Sequence, residues 1–170
     1  MHWKRVQQAI ENLGYNFQQF DLESLVRRIE DQRQRGITRI PFPFQPGLTG
    51  LWIPATKVDY IFYDQNTHSL HQTHIILHEL AHIILGHRCQ PLDQILPPEF
   101  LAQLQSDSSS GRLRQIQAAS SDDEQEQESE LFVFLIQERI MRARRLAELT
   151  GDPSSVAGFS RFTAGMGFVD

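Results

Sequence analysis

Two short amphipathic helices are predicted at the start of the chain. In the first, apolar side chains recur at helical spacing up to Gly14, where a helix would stop: Trp3, Val6, Ile10 and Leu13. The second begins after Asp21, a residue type that caps helices, and its apolar positions are Leu22, Leu25, Val26 and Ile29. We therefore expect residues 1–36 to form a helical part that packs against the rest of the protein.

From Ile37 the hydrophobic pattern changes from helical to extended. Residues 37–44 contain prolines, which cannot donate to a central ladder, so this segment is predicted to be an edge strand. Two short runs rich in aromatic and β-branched residues follow at 51–53 and 59–63. Together these segments predict a small antiparallel sheet in front of the next helix.

Two longer helices are predicted in the second half of the chain. The first covers residues 70–87, which have helical length and no proline, and the second runs from about 124 to 149. Residues 88–123, between them, are rich in Pro, Ser, Gln and Asp and are predicted to form a flexible insertion loop, with one short helix at 97–104. The pattern predicts one α+β domain over residues 1–170.

Composition narrows the classes of function. With 170 residues, of which 40% are hydrophobic, the chain is typical of a globular domain. Its net charge of −5 disfavours nucleic acid and anionic membranes as partners, and the connection at 15–20 is long for a DNA-binding helix-turn-helix. The lone Cys89, to which we assign no role, excludes an internal disulfide. No signal peptide or apolar stretch of about 18 residues is visible, so we expect a cytoplasmic protein.

The strongest chemical motif lies in the predicted third helix and reads His78-Glu79-Leu80-Ala81-His82. Residues four apart lie about 40° apart on a helix, so both imidazoles can reach one Zn²⁺. Glu79 projects to the side of this pair, which suits a general base. Chance gives about 0.02 such motifs in a chain of this composition. We therefore predict His78 and His82 as zinc ligands and Glu79 as the catalytic base.

A catalytic zinc site also needs a third protein ligand and an open position. The metzincin spacing would place Gly at 85 and His at 88, where this chain has Leu85 and Arg88. His87 would point about 180° away from His78 on a continuous helix. The third ligand is therefore expected among the carboxylates at 122–130, where the later helix begins.

Within this acidic run, Glu128 lies on the apolar stripe of the predicted helix, which continues at i+3, i+4 and i+7. Glu126 and Glu130 lie on roughly the opposite side. Glu124 shares the face of Glu128 but has fewer apolar neighbours, and it remains the alternative. We predict Glu128 as the third zinc ligand.

These motifs resemble the ImmA/IrrE-type metallo-endopeptidase family. The resemblance covers about residues 51–138 and rests on the run at 78–87 and on Glu128-Ser129-Glu130, which stands where the family has a Glu-Ala-Asn-like triplet before an apolar run. It implies a zincin-like fold with a small antiparallel sheet, an active-site helix and a long glutamate-bearing helix. It also implies Zn²⁺ as cofactor and, from the first Glu of the triplet, Glu128 as its third ligand.

The resemblance further implies a biological setting. Members of that family cleave helix-turn-helix repressors, or act beside them in stress, phage and toxin–antitoxin systems. It therefore implies a helix-turn-helix (XRE-type) repressor or antitoxin as substrate or partner. The alternative function is a catalytically silent module that binds such a partner and uses zinc as a structural clamp. The intact Glu79 favours the enzyme; a DNA-binding stress regulator is a third hypothesis, which the net charge disfavours.

Four further residues have weaker signals. His71 and His74 fall on the same helix face as His78 and are candidates for lining the cleft, although ordinary histidines on the helix surface are the simpler explanation. Arg139 and Arg142 continue the inward face of the later helix. They could bind a substrate carboxylate or a developing oxyanion, or form salt bridges with the acidic run.

Overall fold

A computed structural model describes residues 2–44, 46–55, 57–91, 98–99, 102, 117–119 and 123–150. These residues confirm an α+β fold, with four helices and a small three-stranded mixed sheet. The helices are α1 (His2–Asn12), α2 (Leu22–Arg33), α3 (Ser69–Leu85) and α4 (Asp123–Thr150). The strands are β1 (Gly36–Phe42), β2 (Gly50–Pro54), β3 (Val58–Asp64), β4 (Cys89–Pro91) and β5 (Gln117–Ala119).

Local sequence signals set several helix ends. The Asp21 side chain accepts a hydrogen bond of 2.9 Å from the backbone N–H of Ser24, which confirms the predicted cap of α2. α3 ends at Leu85, two residues before its predicted end, and Gly86 follows in the left-handed conformation at φ +62°. A glycine adopts this conformation without a Cβ clash, so the chain turns sharply there.

The sheet has the strand order β1-β3-β2. β2 and β3 are antiparallel, whereas β1 runs parallel to β3, so the prediction of an antiparallel sheet was wrong for β1. β1 and β2 are not neighbours because the connection at 43–49 is long enough to cross two strand spacings, about 10 Å. This leaves room for β3 to pair between them. The proline-bearing β1 does lie at an edge, as predicted.

One hydrophobic cluster joins the four helices to the sheet. α4 packs against both α1 and α3, and α3 also packs against β2 and β3. The largest fully buried side chains of this cluster are those of Phe132, Ile10, Leu25, Ile29, Ile61, Leu77, Leu80 and Ile136. Because α3 lies between the sheet and α4, the histidine motif faces the first turns of α4.

The predicted insertion loop falls mostly outside the described residues, and so does most of the predicted short helix at 97–104. In the described part, β4 and β5 pair antiparallel, with Cys89 opposite Ala119, and β5 lies close to β2. The sequence did not predict this pairing. It brings the two ends of the insertion together beside the sheet.

The two longest helices are α3, with 17 residues, and α4, with 28. Histidines and Glu79 interrupt the apolar surface of α3, and α4 carries charged residues along its length. None of the helices in the described part of the chain combines the length and the apolar character needed to cross a membrane.

Candidate metal centre

His78 and His82 lie one turn apart on α3, with their Nε2 atoms 3.1 Å from each other. The start of α4 adds the carboxylate of Glu126, which lies 3.1 Å from Nε2 of His78 and 3.5 Å from Nε2 of His82. His82 is buried, His78 is mostly buried and Glu126 is 41% exposed at its side chain. These three residues could hold a metal ion.

The two imidazoles and the Glu126 carboxylate are spaced closely enough for one tetrahedral ion, whose ligands at about 2.0–2.1 Å from Zn²⁺ are about 3.3–3.4 Å from one another. The two Nε2 atoms lie 3.1 Å apart, one Glu126 oxygen lies 3.1 Å from His78, and the other Glu126 oxygen lies 3.5 Å from His82. Two imidazoles and one carboxylate form the donor set of several catalytic zinc sites. Because Glu126 is partly exposed, the fourth position can face solvent. The residues present therefore fit zinc.

The structure places Glu128 elsewhere. Its carboxylate lies 3.0 Å from Nε2 of His87, accepts a hydrogen bond from Arg5, and is not part of the group formed by His78, His82 and Glu126 in the described residues. The alternative candidate, Glu124, is 67% exposed and lies 3.3 Å from His2. In the described part of the acidic run, Glu126 is the carboxylate that forms one group with the facing Nε2 atoms of both histidines.

The burial pattern explains this difference. The first turns of α4 lie between α1 and α3, so the most buried carboxylate, Glu128, faces the junction of these two helices. Glu126, which the helical period placed opposite the apolar stripe, points toward the rim, where the histidine pair is reached from solvent. A catalytic metal needs an open side, so its ligand need not lie on the most buried face.

Glu128 has several charged or polar partners around it. Arg5 donates to Oε2 of Glu128 and also to the carbonyl of Leu85, at a distance of 2.6 Å, and His2 lies 2.9 Å from Oε1. Burial acts to raise the pKa of Glu128, but hydrogen bonds from His2, His87 and Arg5 outweigh it and lower the pKa below its usual range. Glu128 is therefore a buried, ionised carboxylate.

The outer ring nitrogen of His78 also has a carboxylate partner, since Nδ1 lies 3.0 Å from Glu130. His74 lies 3.7 Å from Glu130, whereas His71 is exposed and lies 3.0 Å from the hydroxyl of Thr67. Neither His71 nor His74 belongs to the group of ligand atoms in the described residues. Their role in lining a cleft stays a prediction.

Glu79 is buried between α3 and β2. A Cβ atom at Gly50 would lie 2.7 Å from Oε1 of Glu79, and the backbone N–H of Trp52 donates to the same carboxyl. Burial raises the pKa of Glu79 to about 7; the charge of Glu126 adds to this, and His78 opposes it. A carboxyl group in this range can take up and release a proton at neutral pH.

The two histidines of the centre differ in their protonation. Burial is the main cause that lowers the pKa of His82 to about 3, and the neighbouring His78 adds to it. At His78 burial also acts to lower the pKa, but the hydrogen bond to Glu126 and nearby carboxylates outweigh it and raise the pKa. The same bond lowers the pKa of Glu126. A metal ion competes with protons for the ring nitrogens of both histidines, so its affinity falls with falling pH.

The remaining candidates lie away from the centre. Arg142 pairs with Glu138 at 2.6 Å on the surface of α4, and Arg139 lies 3.8 Å from Glu11 of α1. Both make salt bridges, though with partners outside the acidic run at 122–130. Burial raises the pKa of the Cys89 thiol to about 11, so this cysteine stays protonated at neutral pH.

The sequence interpretation placed Glu126 and His87 away from the metal and did not consider Arg5 or Gly50. For His87 the signal was Gly86 before it, which allows the chain to turn back toward His82. Comparisons of the chain with family models, with curated proteins and with solved structures found no match.

Proposed function

We propose that this protein is a zinc-dependent metallo-endopeptidase of the ImmA/IrrE type. The observation that carries the proposal is the group of His78, His82 and Glu126, with the buried carboxyl of Glu79 on the same helix beside it. Structural zinc sites are closed by four protein ligands, whereas three ligands leave a position for water or substrate. A carboxyl group next to this position serves proton transfer and is not needed in a structural clamp.

Bound Zn²⁺ would polarise the scissile carbonyl and lower the pKa of a water ligand. Glu79 takes the proton of the attacking water on its carboxylate and then delivers it to the nitrogen of the leaving amine. In the metal-free protein burial raises the pKa of this carboxyl to about 7, near the pH at which a group can both take up and release a proton. Contact with Gly50 and the N–H of Trp52 holds the Glu79 carboxyl in one orientation.

The path that we expect for an extended substrate runs along the sheet beside α3. β2 is the last strand in the order β1-β3-β2 and packs against α3, which carries the histidines, and the short β5 lies close to β2. We expect the substrate to pair in extended form with the strand edge in the region 51–63, because backbone pairing holds a peptide straight while side-chain pockets set specificity. A complex in which the scissile segment is bound as a helix would contradict this expectation.

The substrate that we propose is a helix-turn-helix repressor or antitoxin in the cytoplasm, cut in a flexible segment. The choice of partner rests on the resemblance alone. The site of cleavage follows from access, since a peptide must be locally extended to reach a metal in a cleft, and linkers meet this condition more readily than folded cores.

The test is to incubate zinc-loaded protein with a helix-turn-helix repressor of the same organism, first any that is encoded beside its gene, and to identify fragments by mass spectrometry. We expect cleavage in a linker by the wild-type protein, and none by Glu79→Gln, which keeps the size and hydrogen bonding of the side chain but cannot take the proton. A chelator should stop cleavage and added Zn²⁺ should restore it. An intact repressor that forms a stable complex with both proteins would favour the silent partner-binding module instead.

A further inference from the structure

Three side chains form a hydrogen-bonded series that leads from the candidate metal centre into the protein interior. Nδ1 of His82, the ring nitrogen that faces away from the metal position, lies 2.8 Å from Nδ1 of His87. Nε2 of His87 lies 3.0 Å from Oε2 of Glu128. All three side chains are buried, with exposures of 1–2% at the side chains of His87 and Glu128.

We propose that His87 and Glu128 are positioning residues, which fix the tautomer and orientation of His82 so that its Nε2 lone pair is presented to the metal. The proposal rests on the metal site of the proposed function. It adds a role for Glu128, the residue that sequence analysis predicted as a ligand: Glu128 acts on the metal through two imidazoles.

The direction of each hydrogen bond follows from the buried carboxylate. Glu128 is ionised beside Arg5 and can only accept, so His87 must donate through Nε2–H. A neutral His87 then has a lone pair on Nδ1 and accepts from Nδ1–H of His82. With its proton on Nδ1, His82 has a free lone pair on Nε2, the atom that lies 3.1 Å from His78.

The opposite arrangement would not bind a metal. If Nδ1 of His87 carried a proton, it would donate to His82 and leave the proton of His82 on Nε2, where it blocks coordination. The carboxylate of Glu128 selects the productive tautomer because it offers no proton of its own. Partners of this kind, beyond the ligands themselves, orient histidine ligands in metal sites and raise their basicity.

Contacts from three helices fix both ends of this hydrogen-bonded series. Gly86 turns the backbone after α3, and the N–H of His87 bonds to the carbonyl of His82 at 3.0 Å, which returns His87 to the ring of His82. On the other side, Arg5 of α1 binds both Glu128 and the carbonyl of Leu85. α1, α3 and α4 therefore each contribute to the orientation of one zinc ligand.

The experiment measures zinc dissociation constants by competition with a chromophoric chelator. We expect His87→Phe and Glu128→Gln to weaken zinc binding about 10–100-fold, the range typical of residues that support a metal ligand. His87→Gln should recover much of the affinity, since its amide can accept from His82 and donate to Glu128. Asp59→Asn is the matched control: it alters another buried, arginine-paired carboxylate and should lower stability without changing zinc affinity.

Two spectroscopic measurements separate positioning from a merely structural role. The absorption spectrum of the Co²⁺-substituted protein should change in His87→Phe, because the orientation of one ligand changes, and should be unchanged in Asp59→Asn. In the wild-type zinc protein, ¹⁵N spectra of labelled histidine should show His82 protonated at Nδ1 and coordinated through Nε2. This last measurement needs no variant, so it tests the proposal even if His87→Phe does not fold.

The outcomes distinguish this proposal from the proposed function. Unchanged zinc affinity and Co²⁺ spectra in His87→Phe and Glu128→Gln, or coordination of His82 through Nδ1, would overturn the positioning role and leave the metal site intact. Full zinc retention in His78→Ala and His82→Ala would overturn the metal site itself. Zinc binding that depends on His87 and Glu128, in a protein that cleaves nothing, would support the positioning role and contradict the endopeptidase.

Discussion

The missing side chain of Gly50 makes room for the carboxyl group of Glu79. A Cβ atom at residue 50 would lie 2.7 Å from Oε1 of Glu79 and 2.5 Å from Cγ2 of Ile75. β2 therefore approaches α3 more closely than any other residue type at this position would allow. This approach buries Glu79 and brings the N–H of Trp52 to its carboxyl, so β2 controls both the position and the pKa of the proposed base.

We expect Gly50→Ala to impair hydrolysis while zinc binding stays unchanged, because the added methyl group displaces Glu79 and touches none of the ligands. A displacement of about 1 Å can reduce a rate about 100-fold. The measurement is kcat/KM on a fluorogenic peptide together with zinc affinity. Gly36→Ala is the control, since its Cβ would crowd Val58, at 3.0 Å, and lies far from Glu79. Equal activity in the two variants would show that the contact does not matter.

Glu126→Ala should weaken zinc binding by more than the about 10–100-fold expected of a supporting residue, because it removes a direct ligand. Competition with a chelator measures this loss, and Glu138→Ala, a surface carboxylate of the same helix, should have no effect. The comparison with Glu128→Ala is decisive. A larger loss in Glu128→Ala than in Glu126→Ala would favour Glu128 as the ligand, as the sequence resemblance implies.

In the metal-free protein, Glu79→Gln should increase stability at alkaline pH. The folded pKa of Glu79 is raised from 4.5 to about 7, so its stabilising contribution is complete below the unfolded value and is lost as pH rises through the folded value. Above pH 7 the cost reaches about 3 kcal/mol, and the glutamine does not incur it. Urea denaturation at pH values from 5 to 8 measures the difference between the two proteins. A difference that is constant with pH would contradict the raised pKa.

Asp59→Asn should destabilise the protein by about 3–5 kcal/mol at neutral pH. The Asp59 carboxylate is fully buried and accepts hydrogen bonds from Arg33 at 2.6 Å, Arg35 at 2.9 Å and the Trp52 indole at 3.1 Å. Burial acts to raise the pKa of Asp59, but these three partners outweigh it and lower the pKa.

The lowered pKa fixes the pH dependence of this effect. The contribution of Asp59 is present above the unfolded pKa, about 3.9, and is lost as pH falls through the lower folded value. The gap between wild type and Asp59→Asn should therefore narrow below about pH 4, as measured by denaturant unfolding. Glu23→Gln, at an exposed carboxylate paired with Arg39, should change stability by less than about 0.5 kcal/mol throughout.

The sequence by itself determined the features that depend only on local geometry. A spacing of four residues places His78 and His82 on one helix face in any protein, because that spacing is a property of the helix. Asp21 caps α2 because its side chain reaches the N–H of Ser24, three residues later. Pro41 confined β1 to an edge, because a proline cannot donate to a second neighbouring strand.

Only the tertiary structure decided which carboxylate meets the histidines. The apolar stripe of α4 correctly identified Glu128 as buried, but burial there arises from α1 and from His87. Neither partner is related to Glu128 by sequence spacing: Arg5 lies 123 residues away and His87 lies 41. The candidate ligand Glu126 lies at the rim, where 41% of its side chain is exposed. The hydrophobic periodicity of a helix predicts which side chains face the core. A metal centre depends instead on which helices and strands meet at the edge of that core.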